Sequence, residues 1–317
     1  MSFRALITGL PGFVGGHLAE HLLHAGDAVL GAAPQGAWEP HAPVALRGHV
    51  ELVAWDVGRD DGLAPAALRR IEQFAPDCIY HLAAVSVPAD CGHVEPLPQA
   101  VGINVAGTRR AMELAAALPG RPRVLLASTC HVYAPPPPGA PQVSEDAPLG
   151  PQSAYGRTKL AAEQIVQAAV AAGGDAVICR SFQHTGPRQG PRMMLPQWAQ
   201  QFAAGAGPIA VHTRDAWMDL SDVRDAARAY RLVMEQGARG GVYNVGTGVA
   251  VRSGDVLELL RQLAGPTRPI VETAPRVKHE PIAALARIAA ATGWRAEIPL
   301  AQTVADTWAW WQTAARS

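Results

Sequence analysis

The sequence has few cysteines, no excess of either charge and no long apolar run. Its four cysteines form no C-x-x-C pair and lie mostly in apolar segments, which argues against a zinc site and predicts reduced thiols in a protein core. The 27 basic and 27 acidic residues balance, so we expect neither nucleic acid nor a membrane as a partner. No apolar run approaches the roughly 20 residues that cross a bilayer, and no secretion signal opens the chain. We therefore expect a cytoplasmic protein with a small-molecule ligand and no metal.

The sequence does contain an alternation of strand-like apolar runs with helix-like segments. The apolar runs read FRALITG, DAVLGAA, VELVAWD, DCIYHLAA, RVLLAST, DAVICRSF and GVYNVG, and helices are predicted over 13–25, 97–118 and onward from Ser153. Strands that are apolar on both faces and alternate with helices are typical of a doubly wound parallel sheet. The predicted fold class is therefore α/β.

The glycines of TGLPGFVGG lie directly between the first predicted strand and the first predicted helix. They are Gly9, Gly12 and Gly15, in the spacing G-x-x-G-x-x-G. Glycine permits a tight turn and the close approach of backbone to a pyrophosphate, and the helix N-terminus offers unpaired N–H groups. This position predicts a Rossmann-type dinucleotide-binding turn that also includes Phe13 and Val14.

The regular alternation ends near residue 180. Residues 1–180 are predicted to form the dinucleotide-binding domain, and residues 181–317 mainly a smaller, partly interleaved substrate lobe. Within the second part, residues 219–248 are predicted to return to the Rossmann domain. The proline-rich stretch 134–151 is predicted to be a loop near the site, because proline fixes φ and removes a hydrogen-bond donor.

The segment after the second predicted strand bears on the choice between NAD and NADP. A carboxylate there binds the ribose 2′-OH of NAD, whereas an arginine accommodates the 2′-phosphate of NADP. Residues 31–36 read GAAPQG and supply neither, so the cofactor is predicted as NAD(P)(H) with a slight lean to NADP(H). Asp56, with Val57, is a candidate contact to the adenine; alternatively Asp56 closes a turn.

Two further strands end at the same predicted site, because ligands of such sheets lie at the carboxyl ends of the strands. After YHLAA and RVLLAST we expect contacts from Leu82, Ala83, Ala84, Ser86, Ser128 and Thr129. Ser86 is a candidate contact to both cofactor and substrate. The Thr129 hydroxyl can hydrogen-bond a substrate oxygen.

Tyr155 and Lys159 stand four residues apart in SAYGRTKLAAEQ. On a helix this spacing places both side chains on one face. A fixed ammonium favours phenolate and brings the pKa of a tyrosine toward the working range of a general acid. The pair is either part of a proton-transfer site with Thr129 or an ordinary solvated helix face.

These motifs together resemble the extended short-chain dehydrogenases/reductases of the NAD-dependent sugar epimerase/dehydratase family. The resemblance runs through GLPGFVG, YHLAA, NVAGTRRAMELA, ASTCHVYA and SAYGRTK and covers essentially the whole chain. RSFQHTGPRQGP, DLSDVRDAARAY, GVYNVGTG and ATGWRAEIPLAQTVADTWAWW are similar to the branch of GDP-4-keto-6-deoxy-D-mannose reductases and related GDP-sugar C4 reductases.

The resemblance implies roles for individual residues. Tyr155 would be the general acid/base, Lys159 would lower its pKa and hold the nicotinamide ribose, and Thr129 would orient the sugar oxygen. Asn104 matches the helix asparagine of the family and is a candidate cofactor contact; alternatively it is a satisfied buried polar residue. Phe182 is a further candidate cofactor contact.

Departures from the family pattern bear on the reaction. Dehydratases of this family carry an acidic residue two places after the threonine, whereas here Thr129 is followed by Cys130 and His131. Dehydration is therefore disfavoured. His131 is an alternative proton donor, a substrate contact or a packed imidazole.

The sugar-nucleotide side departs as well. Gln183 replaces the usual asparagine before His184, and Met218 replaces an arginine that normally touches the sugar nucleotide. Either Arg214 replaces that charge or the pocket is reshaped for another sugar. Candidates for binding the diphosphate are Arg188, Arg192, Arg276 and Lys278, since guanidinium forks fit phosphate oxygens.

The leading hypothesis is a reductase that delivers hydride to C4 of a GDP-linked 4-keto-6-deoxy sugar. A nucleotide-sugar 4-epimerase or, less favoured, a 4,6-dehydratase would instead keep NAD tightly bound, and a non-catalytic dinucleotide sensor is the remote alternative. A homodimer is expected, because the helices over 98–118 and 153–172 carry many alanines, which allow close helix contact across a two-fold axis.

Overall fold

The computed structural model describes residues 2–38, 42, 44–137, 141–265 and 268–314. The strands are β1 (Arg4–Thr8), β2 (Ala28–Ala33), β3 (Glu51–Ala54), β4 (Cys78–His81), β5 (Arg123–Thr129), β6 (Gln142–Val143), β7 (Ala176–Ser181), β8 (Gln183–Thr185), β9 (Ile209–Val211), β10 (Ala216–Asp222), β11 (Val242–Val245), β12 (Ala250–Arg252), β13 (Ile270–Glu272), β14 (Lys278–His279) and β15 (Ile282–Ala283).

The α-helices are α1 (Phe13–His24), α2 (Val44–Arg47), α3 (Pro65–Phe74), α4 (Pro98–Ala100), α5 (Gly107–Ala117), α6 (Ala154–Ala171), α7 (Met194–Ala204), α8 (Val223–Gln236), α9 (Ser253–Ala264), α10 (Ala286–Thr292) and α11 (Leu300–Ala314). Short 3₁₀ turns cover Pro88–Cys91 and Cys130–Val132, and a π-helix covers Val101–Ala106. None of these helices combines the length and the apolar character needed to cross a membrane.

Seven strands form one parallel sheet in the order β11-β7-β5-β4-β1-β2-β3. They coincide with the seven apolar runs of the sequence, so the predicted α/β fold with a doubly wound parallel sheet is confirmed. The strand order reverses between β1 and β4, and the carboxyl ends of these strands open a crevice there.

Each face of the large sheet is covered by helices, which explains why its strands are apolar on both sides. One face packs against α1 and α8 through Leu18, Leu22, Tyr230 and Val233. The other packs against α3, α5 and α6 through Ile71, Met112, Ala162 and Val166. The four cysteines are buried and unpaired.

The C-terminal lobe has its own core. β12, β10 and β14 pair in that order, β8 pairs with β10, and α7, α9 and α11 cover this sheet. The chain returns to the large sheet through α8 and β11, while the residues up to Asp222 continue β10 in the small sheet. The crevice of the large sheet thus faces segments of the second lobe.

Two predicted segments differ in detail. The predicted helix over 97–118 is interrupted by the π-helix, which changes the helical register near Asn104. The predicted loop over 134–151 contains the short strand β6, which pairs with β15, and its residues 138–140 lie outside the described residues.

Candidate active site

The glycine turn after β1 requires glycine on steric grounds. Gly9 has φ of 71°, and a Cβ there would lie 2.9 Å from the Ala83 backbone. A Cβ on Gly15 would lie 2.5 Å from the carbonyl oxygen of Gly9. Gly12 precedes α1, and among the described residues no side chain caps the free N–H groups of this helix. These N–H groups and the positive end of the helix dipole fit the pyrophosphate of a dinucleotide.

The other predicted cofactor residues lie around this turn. Phe13 and Val14 begin α1 and are partly exposed, as are Leu82, Ala83 and Ala84 after β4; Ser86 is exposed. The Gly58 N–H donates to Asp56 Oδ1 at 2.9 Å. Asp56 therefore closes a turn, which is the second of the two roles predicted for it. Val57 is buried, and its carbonyl accepts from Arg110.

Thr129, Tyr155 and Lys159 are brought together by β5 and α6. Ser153 caps α6 by accepting from the Gly156 N–H at 3.2 Å, which places Tyr155 in the first turn. A Cβ on Gly156 would lie 2.3 Å from the His131 carbonyl oxygen, so α6 begins in close contact with the segment after Thr129. Lys159 lies one turn further on, is 4% exposed, and donates from Nζ to the Ala127 carbonyl at 2.7 Å.

Burial sets the pKa values of this pair. It raises the pKa of Tyr155 above the usual value, and the hydrogen bond with Thr129 opposes that shift only in part. It lowers the pKa of Lys159 to about 8, while Cys91 and Glu163 act in the other direction. Desolvation of the phenolate is therefore the larger effect on the Tyr155 pKa, and the predicted lowering by Lys159 stays a prediction.

Asn104, predicted either to contact the cofactor or to be a satisfied buried polar residue, has its side chain hydrogen-bonded within the protein. Its Oδ1 accepts from the Val85 N–H at 2.8 Å, and its Nδ2 donates to the Val85 carbonyl and to Thr158 Oγ1. It is 1% exposed. The alternative of a satisfied buried polar residue is correct, and the side chain ties the segment after β4 to α6.

Phe182, predicted to contact the cofactor, has its side chain in the core. It is 1% exposed and packs with Cys130, Val132 and Tyr133, and its N–H donates to the Val245 carbonyl. His184, predicted to bind substrate, is stacked on Phe13 at a ring separation of 6.2 Å and donates from Nδ1 to the Phe182 carbonyl. It therefore lies against the glycine turn.

His131 lies beside Tyr155, with the two rings edge to face at 5.9 Å. Burial lowers the pKa of His131, the nearby Glu280 carboxylate raises it, and Lys278 lowers it. The Glu280 carboxylate also raises the pKa of Cys130. The second lobe thus brings a carboxylate to the segment after Thr129. Sequence reasoning missed Glu280, since nothing in the irregular segment before β15 marks it.

The predicted diphosphate residues are not gathered into one site. Arg188 donates to both carboxylate oxygens of Glu20 and to His17 Nδ1 on α1, because the turn before α7 packs against that helix. Arg192 pairs with Asp90 at 2.6 and 2.8 Å, and Lys278 pairs with Glu280. The side chains of Arg214 and Arg276 are exposed.

The two departures beside β8 and β10 have distinct surroundings. Gln183 is partly exposed, but its Oε1 is buried and has no hydrogen-bond partner among the described residues. Met218 is 8% exposed and packs in the core of the second lobe. An apolar side chain therefore lies where relatives are expected to carry a cation.

A buried ionic network supports α6 and was not predicted from sequence. Glu163 on α6 accepts from Ser128 Oγ at 2.5 Å and from the Arg180 guanidinium at 2.7 Å. Arg180 also donates to the Glu145 carbonyl and lies over the Tyr133 ring. These contacts fix α6 against β5 and β7 and so hold Tyr155 and Lys159 beside Thr129.

The glycine turn at the switch point and the Tyr155–Lys159 pair beside Thr129 define the class: the protein is an NAD(P)-dependent short-chain dehydrogenase/reductase. Residues 5–246 match the NAD dependent epimerase/dehydratase family, and the chain belongs to this family. It is an enzyme, and its cofactor is NAD(P)(H).

Relatives of known activity include members that carry out different reactions. GDP-6-deoxy-D-mannose reductase of Pseudomonas aeruginosa is 28% identical over 326 residues, covering 100% of this chain and 99% of the relative. dTDP-glucose 4,6-dehydratase of Streptomyces griseus is 30% identical over 330 residues, covering 98% and 94%.

Solved structures show the same spread. RMD from Pseudomonas aeruginosa complexed with NADPH has a TM-score of 0.79 and 26% identity, covering 98% of this chain and 99% of that chain. UDP-glucose 4-epimerase of Thermus thermophilus in complex with NAD has a TM-score of 0.84 and 25% identity, with the same coverage. Fold and family are therefore compatible with reduction, dehydration and epimerisation alike.

Proposed function

We propose that this enzyme reduces the C4 ketone of a GDP-linked 4-keto-6-deoxy sugar, a hexose or a heptose, with NAD(P)H. The observation that carries the proposal is the segment Thr129-Cys130-His131, which lacks the carboxylate expected of a dehydratase two places after the threonine. Support comes from GDP-6-deoxy-D-mannose reductase, which aligns with the whole chain.

The residues suit this chemistry. The bound nicotinamide supplies the hydride, and the protein supplies the proton and its geometry. Tyr155 carries its proton at neutral pH, as a phenol that titrates near 10 does and as burial further favours, so it can donate to the C4 oxygen as the ketone is reduced. The Thr129 hydroxyl lies next to Tyr155 and can hold that oxygen, and Lys159 stabilises the resulting phenolate.

The test is a reaction that contains equal amounts of NADPH and the keto sugar. Purified protein with NADPH and a GDP-4-keto-6-deoxy hexose should oxidise NADPH in step with loss of the ketone, followed by absorbance and by mass spectrometry. The UDP- and dTDP-linked analogues serve as matched controls for the base. Epimerised product without NADPH consumption, together with NAD retained through purification, would replace the reductase by a 4-epimerase.

A 4,6-dehydratase is the second candidate, because Glu280 places a carboxylate near Cys130 and His131. In that case a saturated GDP-hexose would lose water in the absence of added NAD(P)H. The ion pair of Glu280 with Lys278 argues against it, because the Lys278 ammonium already occupies the carboxylate that would have to take the proton.

A homodimer is part of the proposal. The outer faces of α5 and α6 form an open groove of about 720 Å³, whose apolar lining includes Met112, Ala115, Ala116, Ile165, Ala168 and Ala169. Small side chains let helices approach closely, and a second copy can present the same two helices across a two-fold axis. Light scattering should give twice the chain mass, and Ile165→Glu should shift it to that of a monomer.

A further inference from the structure

His81, at the end of β4, has two ring nitrogens in different surroundings. Its side chain is buried, at 2% exposure. Nδ1 lies 2.9 Å from Thr8 Oγ1 on the neighbouring strand β1. Nε2 is buried as well, but no described residue offers it a hydrogen-bond partner. A buried ring nitrogen without a hydrogen-bond partner costs about 1–3 kcal/mol, so we expect Nε2 to have a partner.

The hydrogen bonds of Thr8 decide which nitrogen carries the proton. Thr8 Oγ1 already accepts from the Ala83 N–H at 3.3 Å. If its hydroxyl proton goes to His81 Nδ1, only one group remains unpaired, the N–H on Nε2. The other tautomer would leave both the Thr8 proton and the Nε2 lone pair without partners. The network therefore favours His81 protonated on Nε2, as a buried donor.

The position of His81 places this donor near Lys159. Strand register aligns His81 with Leu126 on β5, and Lys159 Nζ donates to the carbonyl of the next residue, Ala127. Burial lowers the pKa of His81 to about 3, and the Lys159 charge adds to this effect. The imidazole is thus neutral and close to the ammonium. Both present donors, and an ammonium has three, of which the Ala127 carbonyl takes one.

We propose that His81 is a positioning residue for Lys159, and that its Nε2–H and a Lys159 N–H converge on one buried water. A buried water typically makes about three hydrogen bonds, and its oxygen accepts two. No side chain of the described residues fills that acceptor role toward Nε2. The structural part of the inference stands by itself, and its kinetic part rests on the proposed reductase activity.

The water would act on the charge of Lys159. Of the described residues, the titratable groups around the ammonium are Tyr155 and Glu163 on α6, His81 on β4, and Cys91 in the 3₁₀ turn after β4. Burial holds the pKa of Lys159 at about 8. A water oxygen fixed toward the ammonium stabilises its charged form, so losing this water lowers the pKa further. Lys159 would then lose its proton, and the enzyme its activity, at a lower pH.

The experiment compares three variants of the full-length enzyme. His81→Phe removes the donor, His81→Gln keeps an N–H donor of similar reach, and Tyr80→Phe removes a buried, unpartnered hydroxyl on the opposite face of the same strand. The alkaline limb of the kcat/KM profile should move down by about one pH unit in His81→Phe. It should move less in His81→Gln and stay in place in Tyr80→Phe.

Two measurements on the wild type need no turnover. Nitrogen-15 NMR of the imidazole should show the tautomer with the proton on Nε2, and a high-resolution crystal structure should show a water bonded to both Nε2 and Nζ. The Nδ1–H tautomer, a dry contact between the two groups, or an unmoved alkaline limb in folded His81→Phe would overturn the inference. If no 4-keto sugar is reduced while the tautomer and the water are found, the proposed function fails and the His81 site stands.

Discussion

The two halves of the active site hold their polar side chains in different ways. On the sheet side, Thr129 and Lys159 are at most 5% exposed and sit on elements of the large core. On the side of the C-terminal lobe, Arg188 and Arg192 lie on an irregular segment and pair with carboxylates, Arg192 with Asp90 at 59% side-chain exposure. The sheet side is suited to chemistry that needs fixed geometry, and the lobe side to recognition that can change from one sugar nucleotide to another.

The largest effect is expected where the fixed half supplies the proton. Tyr155→Phe removes the acid but leaves the glycine turn intact, so kcat should fall by roughly 10²–10⁴-fold with the NADPH dissociation constant little changed. Lys159→Met should weaken both rate and cofactor binding. Stopped-flow absorbance and fluorescence titration measure the two quantities. A Phe variant with near wild-type kcat would mean that another group, with His131 the nearest candidate, donates the proton.

The second test contrasts two arginines of the lobe side. Arg188 holds Glu20 and His17 in a partly buried site, so Arg188→Met should lower the free energy of unfolding by about 1–3 kcal/mol and leave KM for the sugar nucleotide nearly unchanged. Arg192→Met should leave the free energy of unfolding nearly unchanged, because an exposed ion pair contributes only about 0–1 kcal/mol. It should raise KM for the sugar nucleotide, because the Arg192 guanidinium can exchange Asp90 for a diphosphate.

Urea unfolding and steady-state kinetics measure these two effects. If Arg188→Met raises KM as much as Arg192→Met does, the Arg188 guanidinium leaves Glu20 when substrate binds. Arg188 would then belong to the residues that recognise the substrate and not to those that only stabilise the fold.

A smaller effect should follow from the contact between the halves at His131. Glu280→Gln removes a nearby carboxylate and should lower the pKa of His131, whereas Lys278→Met should raise it. His131 is protonated below its pKa, so the first change narrows the acid range in which it is charged and the second widens it. Proton NMR of the imidazole measures both. Equal pKa values of His131 in the wild type and in Glu280→Gln would show that the Glu280 carboxylate points away from the imidazole ring.

The smallest difference is expected between the two cofactors. Residues 31–36 supply neither a carboxylate for the 2′-OH nor an arginine for a 2′-phosphate. The dissociation constants of NADPH and NADH should therefore differ by less than about tenfold, or 1.4 kcal/mol. Fluorescence titration measures them. A preference above about a hundredfold would show that a residue outside this segment reads the 2′ position.

The sheet half could be predicted from sequence because each signal was local. The spacing of Gly9, Gly12 and Gly15 and the four-residue step from Tyr155 to Lys159 carry their own geometry, and the predicted strands form the sheet. What local spacing could not supply was the environment. Burial raises the pKa of Tyr155.

The lobe half was less predictable because its partners are distant in sequence. Arg188 meets Glu20 across 168 residues, and Arg192 meets Asp90 across 102. Residue type identified these arginines as anion-binding candidates, but only the fold shows which carboxylates already hold them. Glu280 was missed for the same reason, since its approach to His131 depends on how β14 pairs with β10.

The π-helix over Val101–Ala106 has a consequence for how this chain tolerates changes in length. A π-turn contains one residue more than the α-helical register needs, and each residue of a helix turns the chain by about 100°. Deleting one residue there would restore a regular α-helix but rotate Asn104 away from Val85 unless the deletion fell on its C-terminal side. The extra residue therefore sets the direction in which Asn104 points. In homologous chains without it, we expect the residue that hydrogen-bonds this segment to stand at a shifted alignment position.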